Sequence, residues 1–430
     1  MTKKPIIAHC WYRSANPSGE NLVVQRELDL LRAGGCDPAT LFRHSDDLLG
    51  SRLAQLRAGA QLHASRRRIT ALRREIEDLD GEVLHVHNPW PLLTYGVFEA
   101  AHEAGLPTVQ TLHNARLIAT NNRFHGSHGQ RRPQGADDLL HLRRLASQHG
   151  SPLVNALYNR ALRAYWKRGV PQGCVDAYIC LTEFHRRLMA LAGLPDERLV
   201  VKPNFLDHRG PIGVEPGDYA LFVGRLSPEK GADVLVRTWA GIGLPLKVVG
   251  AGPLAGVVAA TPGAEYLGPK PQDEVLRLMA GARYLVISST GYEGFPLVLV
   301  EALASGTPCL VPDLGGMPDI IESDRLGLVF TPGDAEDFSS AARELWETAP
   351  RMRSACRREY EARYTPSRNL AMLQRIYDNV RNHRRADDGV GQYFDPPRRA
   401  SSRRVSDGPQ DDLALALTPA IGSDNATSNA

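Results

Sequence analysis

The sequence predicts an α/β protein built from two doubly wound domains, each a parallel sheet covered by helices on both faces. Three observations lead there. Short apolar runs rich in β-branched residues alternate with longer helix-period stretches along the chain, the pattern of β-α-β units. The alternation runs on for two lengths that would each make such a domain. Near the middle it is interrupted by 207–218, Asp-His-Arg-Gly-Pro-Ile-Gly-Val-Glu-Pro-Gly-Asp, which is polar, rich in Gly and Pro and without apolar periodicity, as an inter-domain connection should be.

The elements follow in order. In the first half strands are expected at 5–10, 82–87, 107–111, 176–181 and 199–202, with helices at 20–32, 92–104 and 183–191. In the second half strands are expected at 219–223, 245–249, 284–288, 308–311 and 327–330. Helices are expected there at 233–239, 273–280, 297–304 and 335–346. Beyond 358 helical patterning returns, and Leu370, Leu373 and Tyr377 fall on one face. The domains are therefore expected at 1–205 and 206–365. A helix at about 366–384 is expected to pack back on the first domain, and 386–430, rich in Asp, Gly, Pro, Ser, Arg and Asn, is expected to be disordered.

The 430 residues are 43% hydrophobic and 23% charged, ordinary for a globular protein with buried cores. No run of 18 apolar residues occurs, so a normal transmembrane helix is excluded. The N-terminal apolar run is too short for a secretory signal and reads as a first strand. Six cysteines lie scattered with no C-x-x-C pair, which suggests neither a zinc site nor a disulfide scaffold and fits a reducing, cytoplasmic setting. The net charge of +3 averages unlike halves, +7 over residues 1–200 and −4 over the rest.

Two segments carry chemistry. In Glu293-Gly-Phe-Pro-Leu-Val-Leu-Val-Glu301, Pro296 suits a helix start, and Gly306 with Pro308 ends the helix. The N–H groups of Leu297 and Val298 then form an open helix N-terminus that favours a phosphate. Glu293 before the helix and Glu301 inside it can accept hydrogen bonds from sugar hydroxyls. Upstream, Val223-Gly224-Arg225-Leu226-Ser227-Pro228-Glu229-Lys230-Gly231 follows a strand. Gly224 permits a tight turn at the strand end. Arg225 and Lys230 are two cations where doubly wound sheets bind ligands, able to balance a diphosphate without a metal. Taken singly, each segment also reads as a capped buried helix or a solvated loop.

As an ordered set with Val248-Val249-Gly250-Ala251-Gly252-Pro253 and Gly315-Gly316-Met317-Pro318-Asp319-Ile320-Ile321, these segments resemble the retaining family 4 glycosyltransferases of GT-B fold over roughly residues 5–380. Asp319 stands where that family usually has Glu, and Ser18 replaces the first glycine of its usual Gly-Gly pair, leaving Gly19 for backbone approach to the donor. The resemblance implies two facing Rossmann-like domains with a cleft between them. It also implies transfer of a sugar from a nucleotide-diphosphate sugar to an acceptor with retention, the donor on the second domain, and no separate cofactor. Arg225 and Lys230 would meet the diphosphate, Glu301 the ribose and Glu293 the donor sugar. His113, in Thr111-Leu112-His113-Asn114, would lie beside that sugar, with Gly294 and Phe295 in the donor loop.

Some readings stay open. Alternation puts His85 and His87 on one face of a strand, His87 nearer the cleft; either is as readily a structural histidine. Asn204 could touch the donor or cap a turn. The basic stretches 52–74 and 121–168 suggest an anionic acceptor or a peripheral contact with an anionic membrane, although solvated helix faces are the favoured reading. Nucleic acid is not expected, since no binding motif accompanies the charge. No metal is expected: the one Asp-x-Asp triplet, Asp78-Leu79-Asp80, precedes a strand rather than following one. A nucleotide-sugar epimerase or a non-catalytic nucleotide-sugar-binding protein could keep the same architecture. A dehydrogenase is disfavoured by the absence of G-x-G-x-x-G after the first strand. The acceptor and the donor's base and sugar are not legible.

Overall fold

The computed structural model describes residues 4–12, 19–46, 62, 65–118, 152–322 and 324–386. The expected disordered tail beyond 386, Ser18 and most of the basic stretches at 52–64 and 121–151 lie outside the described residues.

The first sheet contains β1 (Pro5–Trp11), β2 (Ala39–His44), β3 (Val83–Val86), β4 (Thr108–Leu112), β5 (Ala177–Cys180) and β6 (Leu199–Val201), in the order β2-β1-β3-β4-β5-β6. Its pairings are parallel, with Ile6 opposite both Ala39 and Leu84. The helices are α1 (Gly19–Ala33), α2 (Arg66–Asp78), α3 (Gly96–Glu103), α4 (Pro152–Lys167), α5 (Val170–Gly173) and α6 (Glu183–Leu191). Helix α1 exists because Val24, Leu28 and Leu31 recur at helical spacing and cover one sheet face. It stops at Gly34-Gly35, where Gly35 takes φ +78°.

The second sheet contains β7 (Ala220–Val223), β8 (Leu246–Val249), β9 (Ala264–Gly268), β10 (Tyr284–Val286), β11 (Cys309–Pro312) and β12 (Gly327–Phe330), in the order β12-β11-β10-β7-β8-β9. Its helices are α7 (Ala232–Trp239), α8 (Ala255–Ala260), α9 (Gln272–Gly281), α10 (Leu297–Ala304), α11 (Met317–Ile320) and α12 (Ala335–Arg363). A last helix, α13 (Pro366–Ala386), follows. Leu373, Ile376, Tyr377 and Val380 of α13 pack beside α1 against Ile7, Val109 and Ile179 of the first sheet.

Sequence reading missed β2, β9, α2, α4, α5, α8 and α11 and cut α12 short. Helix α12 runs 29 residues through Pro350. Proline has no N–H to donate to the carbonyl four residues back. That carbonyl, on Trp346, instead accepts Arg283 Nε at 2.6 Å. Tertiary structure thus repairs the break that local sequence implies.

In each sheet the chain reverses its direction of winding beside the first strand, between β1 and β3 and between β7 and β10. Open α/β sheets bind ligands at the carboxyl ends of strands at such points. The two domains touch through the segments that follow β5, β10 and β11. The rings of Phe184 and Tyr292 stack with centroids 5.8 Å apart. The Phe184 N–H donates to the Asp319 carboxylate, and Arg187 lies 3.6 Å from Asp319.

Candidate functional site

On the second domain, the loop after β7 turns through Gly224 and Arg225 into a 3-10 turn at Pro228–Lys230. Gly231 closes that turn at φ +63°, and a Cβ there would fall 1.9 Å from the Ser288 carbonyl. Only glycine lets the Lys230 turn lie against the end of β10. Lys230 therefore leaves a 3-10 turn rather than the first turn of a helix. Its Nζ donates to Glu293 Oε1 at 2.7 Å, and the Ser289 hydroxyl donates to the same oxygen. Glu293 is thus aimed by two loops at once. Arg225 is 66% exposed and 3.4 Å from Glu229, a weak surface pair that leaves the guanidinium open to a ligand.

The demand for glycine in this loop differs from the expected one. A Cβ on Gly224 would meet only the Phe222 ring, at 3.4 Å. Gly250 and Gly252 carry the constraint, with φ of +146° and +157°. Their Cβ atoms would fall 1.8 Å and 2.3 Å from the carbonyls of Gly224 and Leu226. The tight approach is made to Gly224 rather than by it.

The Glu293 loop is cradled from the other side. Gly315 takes φ +58°, and its Cβ would lie 2.4 Å from the Glu293 carbonyl. The Gly316 N–H donates to that carbonyl at 2.8 Å. Gly294 faces the first domain, its Cβ position 3.9 Å from the His113 carbonyl. Phe295 packs near Tyr364. Helix α10 starts after Pro296 with no side-chain cap, leaving the N–H groups of Leu297 and Val298 outside the helical ladder. Its flanks are apolar except for Glu301, which accepts from Gln272 Nε2 at 2.8 Å. Burial raises the Glu301 pKa, opposed by the Gln272 hydrogen bond and the charge of Arg26 on α1.

On the first domain, His113 leaves the end of β4 and lines a small cavity with Glu20, Asn114 and Arg116. Its Nε2 is 2.9 Å from His87 Nδ1. His85 and His87 share a face, ring centroids 4.3 Å apart, and His85 is fully enclosed between Tyr377 (2.7 Å) and Thr111 (2.8 Å). Burial drives the pKa of both His85 and His113 well below the usual range, with neighbouring His87 adding to it. Gly19 opens α1 with nothing among the described residues within 4 Å of its Cβ position. Asn204 is buried just after β6, ahead of the inter-domain connection. Several arginines of the basic stretches are engaged on the protein: Arg66 with Glu103, Arg168 with Glu99, and Arg68 with the Leu92 carbonyl.

Sequence reading overlooked Glu27 and Lys202, both fully buried and 3.2 Å apart. A signal existed: Glu27 interrupts the apolar stripe of α1, and Lys202 is a rare lysine in an arginine-rich chain.

Comparison with known proteins agrees with this architecture. The family model described as Glycosyltransferase Family 4 matches residues 23–209. That described as Glycosyl transferases group 1 matches residues 217–348. A GDP-mannose-dependent alpha-mannosyltransferase of Mycobacterium tuberculosis is 29% identical over 304 residues, covering 68% of this chain and 72% of that protein. A D-inositol 3-phosphate glycosyltransferase of Nocardia farcinica is 30% identical over 200 residues, 39% of this chain and 44% of that one; this chain therefore spans under half of that relative. Among solved structures, Anabaena Alr3699/HepE in complex with UDP superposes with a TM-score of 0.61 at 15% identity, over 88% of this chain and 100% of that one. Sucrose-phosphate synthase of Thermosynechococcus elongatus gives 0.60 at 16% identity, over 89% and 100%.

Proposed function

The chain belongs to the family 4 glycosyltransferases of GT-B fold, and from that premise we propose that it moves a sugar from a nucleotide-diphosphate donor to an acceptor with retention at the anomeric carbon. The observation that carries the reading is the Lys230–Glu293 pair at the switch point of the second sheet. It sets a cation for the diphosphate beside a carboxylate for the sugar. A nucleotide donor is supported by the solved neighbour named for its complex with UDP.

In this proposal the diphosphate lies across the carboxyl ends of β7 and β10. Arg225, Lys230 and the N–H groups of Leu297 and Val298 stabilise the negative charge that grows as the glycosidic bond breaks. Preorganised donors aimed at developing charge commonly supply most of the rate enhancement in such reactions. Two side-chain cations take that task without a metal. Glu301 accepts from ribose hydroxyls, and Glu293 orients the donor sugar against His113 on the opposite domain. Contact of the domains through Phe184, Tyr292 and Asp319 excludes water from the activated sugar. The acceptor binds on the first domain, near the cavity of Glu20, Asn114 and Arg116.

The test is a thermal-shift screen against UDP-, GDP-, ADP- and dTDP-sugars, since a bound donor raises the melting temperature by mass action. Proton NMR of the product made with the stabilising donor and a crude acceptor pool follows. The expected product keeps the donor's anomeric configuration. An inverted product would remove retention, and conversion of the donor without any acceptor would point to an epimerase.

A further inference from the structure

Helix α6 belongs to the first domain, where Phe184, Leu188 and Met189 bury its inner face in the core. At its N-terminus the Thr182 hydroxyl accepts the His185 N–H at 3.2 Å, which leaves the Phe184 N–H among the orphan donors of the first turn. The second domain supplies the acceptor: one oxygen of Asp319 takes that N–H, and the other lies 3.6 Å from Arg187 Nη2. The Asp319 side chain is only 13% exposed, and an anion is favoured at a helix N-terminus. Asp319 sits on α11, one helical turn after Gly316. The Gly316 N–H holds the Glu293 carbonyl at 2.8 Å. A Cβ on Gly316 would fall 2.3 Å from the Gly294 carbonyl and 2.7 Å from the Thr182 side chain. One short turn thus grips the first domain through Asp319 and the Glu293 loop through Gly316. The other flank of that loop is tied to the same helix, because Tyr292 stacks on the Phe184 ring and packs against the buried cores of both domains.

We propose that Asp319 is a positioning residue: its grip on the N-terminus of α6 makes the placing of Glu293 depend on contact between the two domains. The inference rests on the transferase reading for the task of Glu293 toward the donor sugar. Within the second domain the Glu293 carboxylate is held by Lys230 and Ser289, and its carbonyl by Gly316. The flanks of the loop then rest on first-domain side chains, Tyr292 on Phe184 and Gly316 on Thr182. When the domains part, Tyr292 loses its stacking partner and Gly316 the wall that confines it, so the backbone of Glu293 is released while Lys230 still holds the carboxylate. Asp319 supplies the directed polar bond of this contact. In the open form the Phe184 N–H and the Asp319 carboxylate both take water instead, so the bond shifts an equilibrium rather than locking it. Arg225, Lys230 and Glu301 all belong to the second domain, so the nucleotide keeps these partners whether the domains are open or closed. Loss of Asp319 therefore falls on the chemical step, which needs Glu293 set, and not on donor binding.

The test combines backbone amide exchange, read by mass spectrometry on the full chain, with steady-state turnover of the stabilising nucleotide sugar. In Asp319→Ala, exchange is expected to quicken at 183–188 and also at 290–297, with the melting temperature little changed. A hydrogen bond to a charged group shifts an equilibrium by on the order of tenfold, so kcat is expected to fall ~10-fold while KM for the donor stays within ~2-fold. Asp319→Glu keeps the carboxylate and is expected to restore most of the protection and most of the turnover. Tyr292→Leu removes the stacked ring but no charge. It is expected to give the same two changes, and it serves as the probe should Asp319→Ala melt early. Faster exchange confined to 183–188 would make Asp319 a tie between domains with no hold on Glu293, and would overturn the proposal. Wild-type kcat in Asp319→Ala, or a raised KM with kcat unchanged, would overturn it equally. A wild-type chain that turns over no nucleotide sugar would instead overturn the transferase reading, and exchange at 290–297 would still decide whether Asp319 governs the loop.

Discussion

Lys230 Nζ lies 2.7 Å from Glu293 Oε1, tying the loop after β7 to the loop after β10 across the switch point of the second sheet. The two residues are 63 positions apart and meet because Gly231 lets one loop lie flat on the strand end beneath the other. The pair is part-exposed, so its value for stability is small and its value for positioning is large.

Lys230→Met is accordingly expected to lower kcat by ~100-fold or more, the range for losing one preorganised donor to a transition-state anion. The melting temperature should change little. Steady-state kinetics with the stabilising nucleotide sugar, together with circular dichroism melting, checks both. Wild-type turnover would remove Lys230 from the diphosphate.

Gly315→Ala is expected to destabilise by more than ~1 kcal/mol, because its positive φ suits glycine and the added Cβ would meet the Glu293 carbonyl. Activity should fall further than stability, since the displaced residue is Glu293. Gly19→Ala is the control: among the described residues nothing lies within 4 Å of its Cβ position, and urea unfolding should be unchanged. Loss of donor binding in that variant would reveal backbone contact at Gly19.

Glu301 gives a pH signature. Burial raises its pKa above the ordinary 4.5, so the folded protein binds this proton more tightly than the unfolded chain. Its contribution favours folding at low pH, declines from about pH 4.5 up to the raised value, and stays low above it. Glu301→Gln keeps an acceptor for Gln272 and removes the partly buried charge. It is expected to melt at or above the wild-type temperature at pH 8, with the gap closing on acidification, while nucleotide-sugar affinity falls. A lower melting temperature at pH 8 would refute this.

The buried histidines act in the opposite direction. Burial lowers His9 and His185 to about 4 and His85 and His113 well below 6.5. The unfolded chain therefore takes up protons first as pH falls through 6.5. Stability is expected to drop from there toward pH 4, by ~1.4 kcal/mol per group for each tenfold difference in proton affinity between the unfolded and folded chain. His185→Leu, at a buried ring whose pKa burial pulls down to about 4, should flatten that slope. An unchanged slope in the melting temperature between pH 7 and 5 would count against it.

Much of this protein could be read from local sequence. Apolar alternation marks β1, β3–β8 and β10–β12, and the motifs at 224–231 and 293–301 name the residues of the candidate second-domain site. Those features are local: strand patterning has period two, and a glycine, a proline or a cation at a strand end has its effect within a few residues. Short or solvent-facing elements such as β2 and β9 carry weak patterns and were invisible. Pro350 is tolerated inside α12 because the carbonyl it leaves unsatisfied, on Trp346, is met by Arg283, 63 positions earlier in the chain.

Tertiary structure alone decided which charges meet. No spacing rule pairs Lys230 with Glu293, seats the carbonyl of Gly224 against Gly250, or brings Glu27, Lys202, His87 and Asn369 into one buried cluster. Each of these depends on long-range strand order and on a final helix returning to the first domain. The sequence thus determined the parallel α/β architecture and the types of chemical group at the cleft. Their partners, burial and protonation come from packing, because electrostatic and hydrogen-bond energies depend on distances of a few ångströms between residues far apart in the chain.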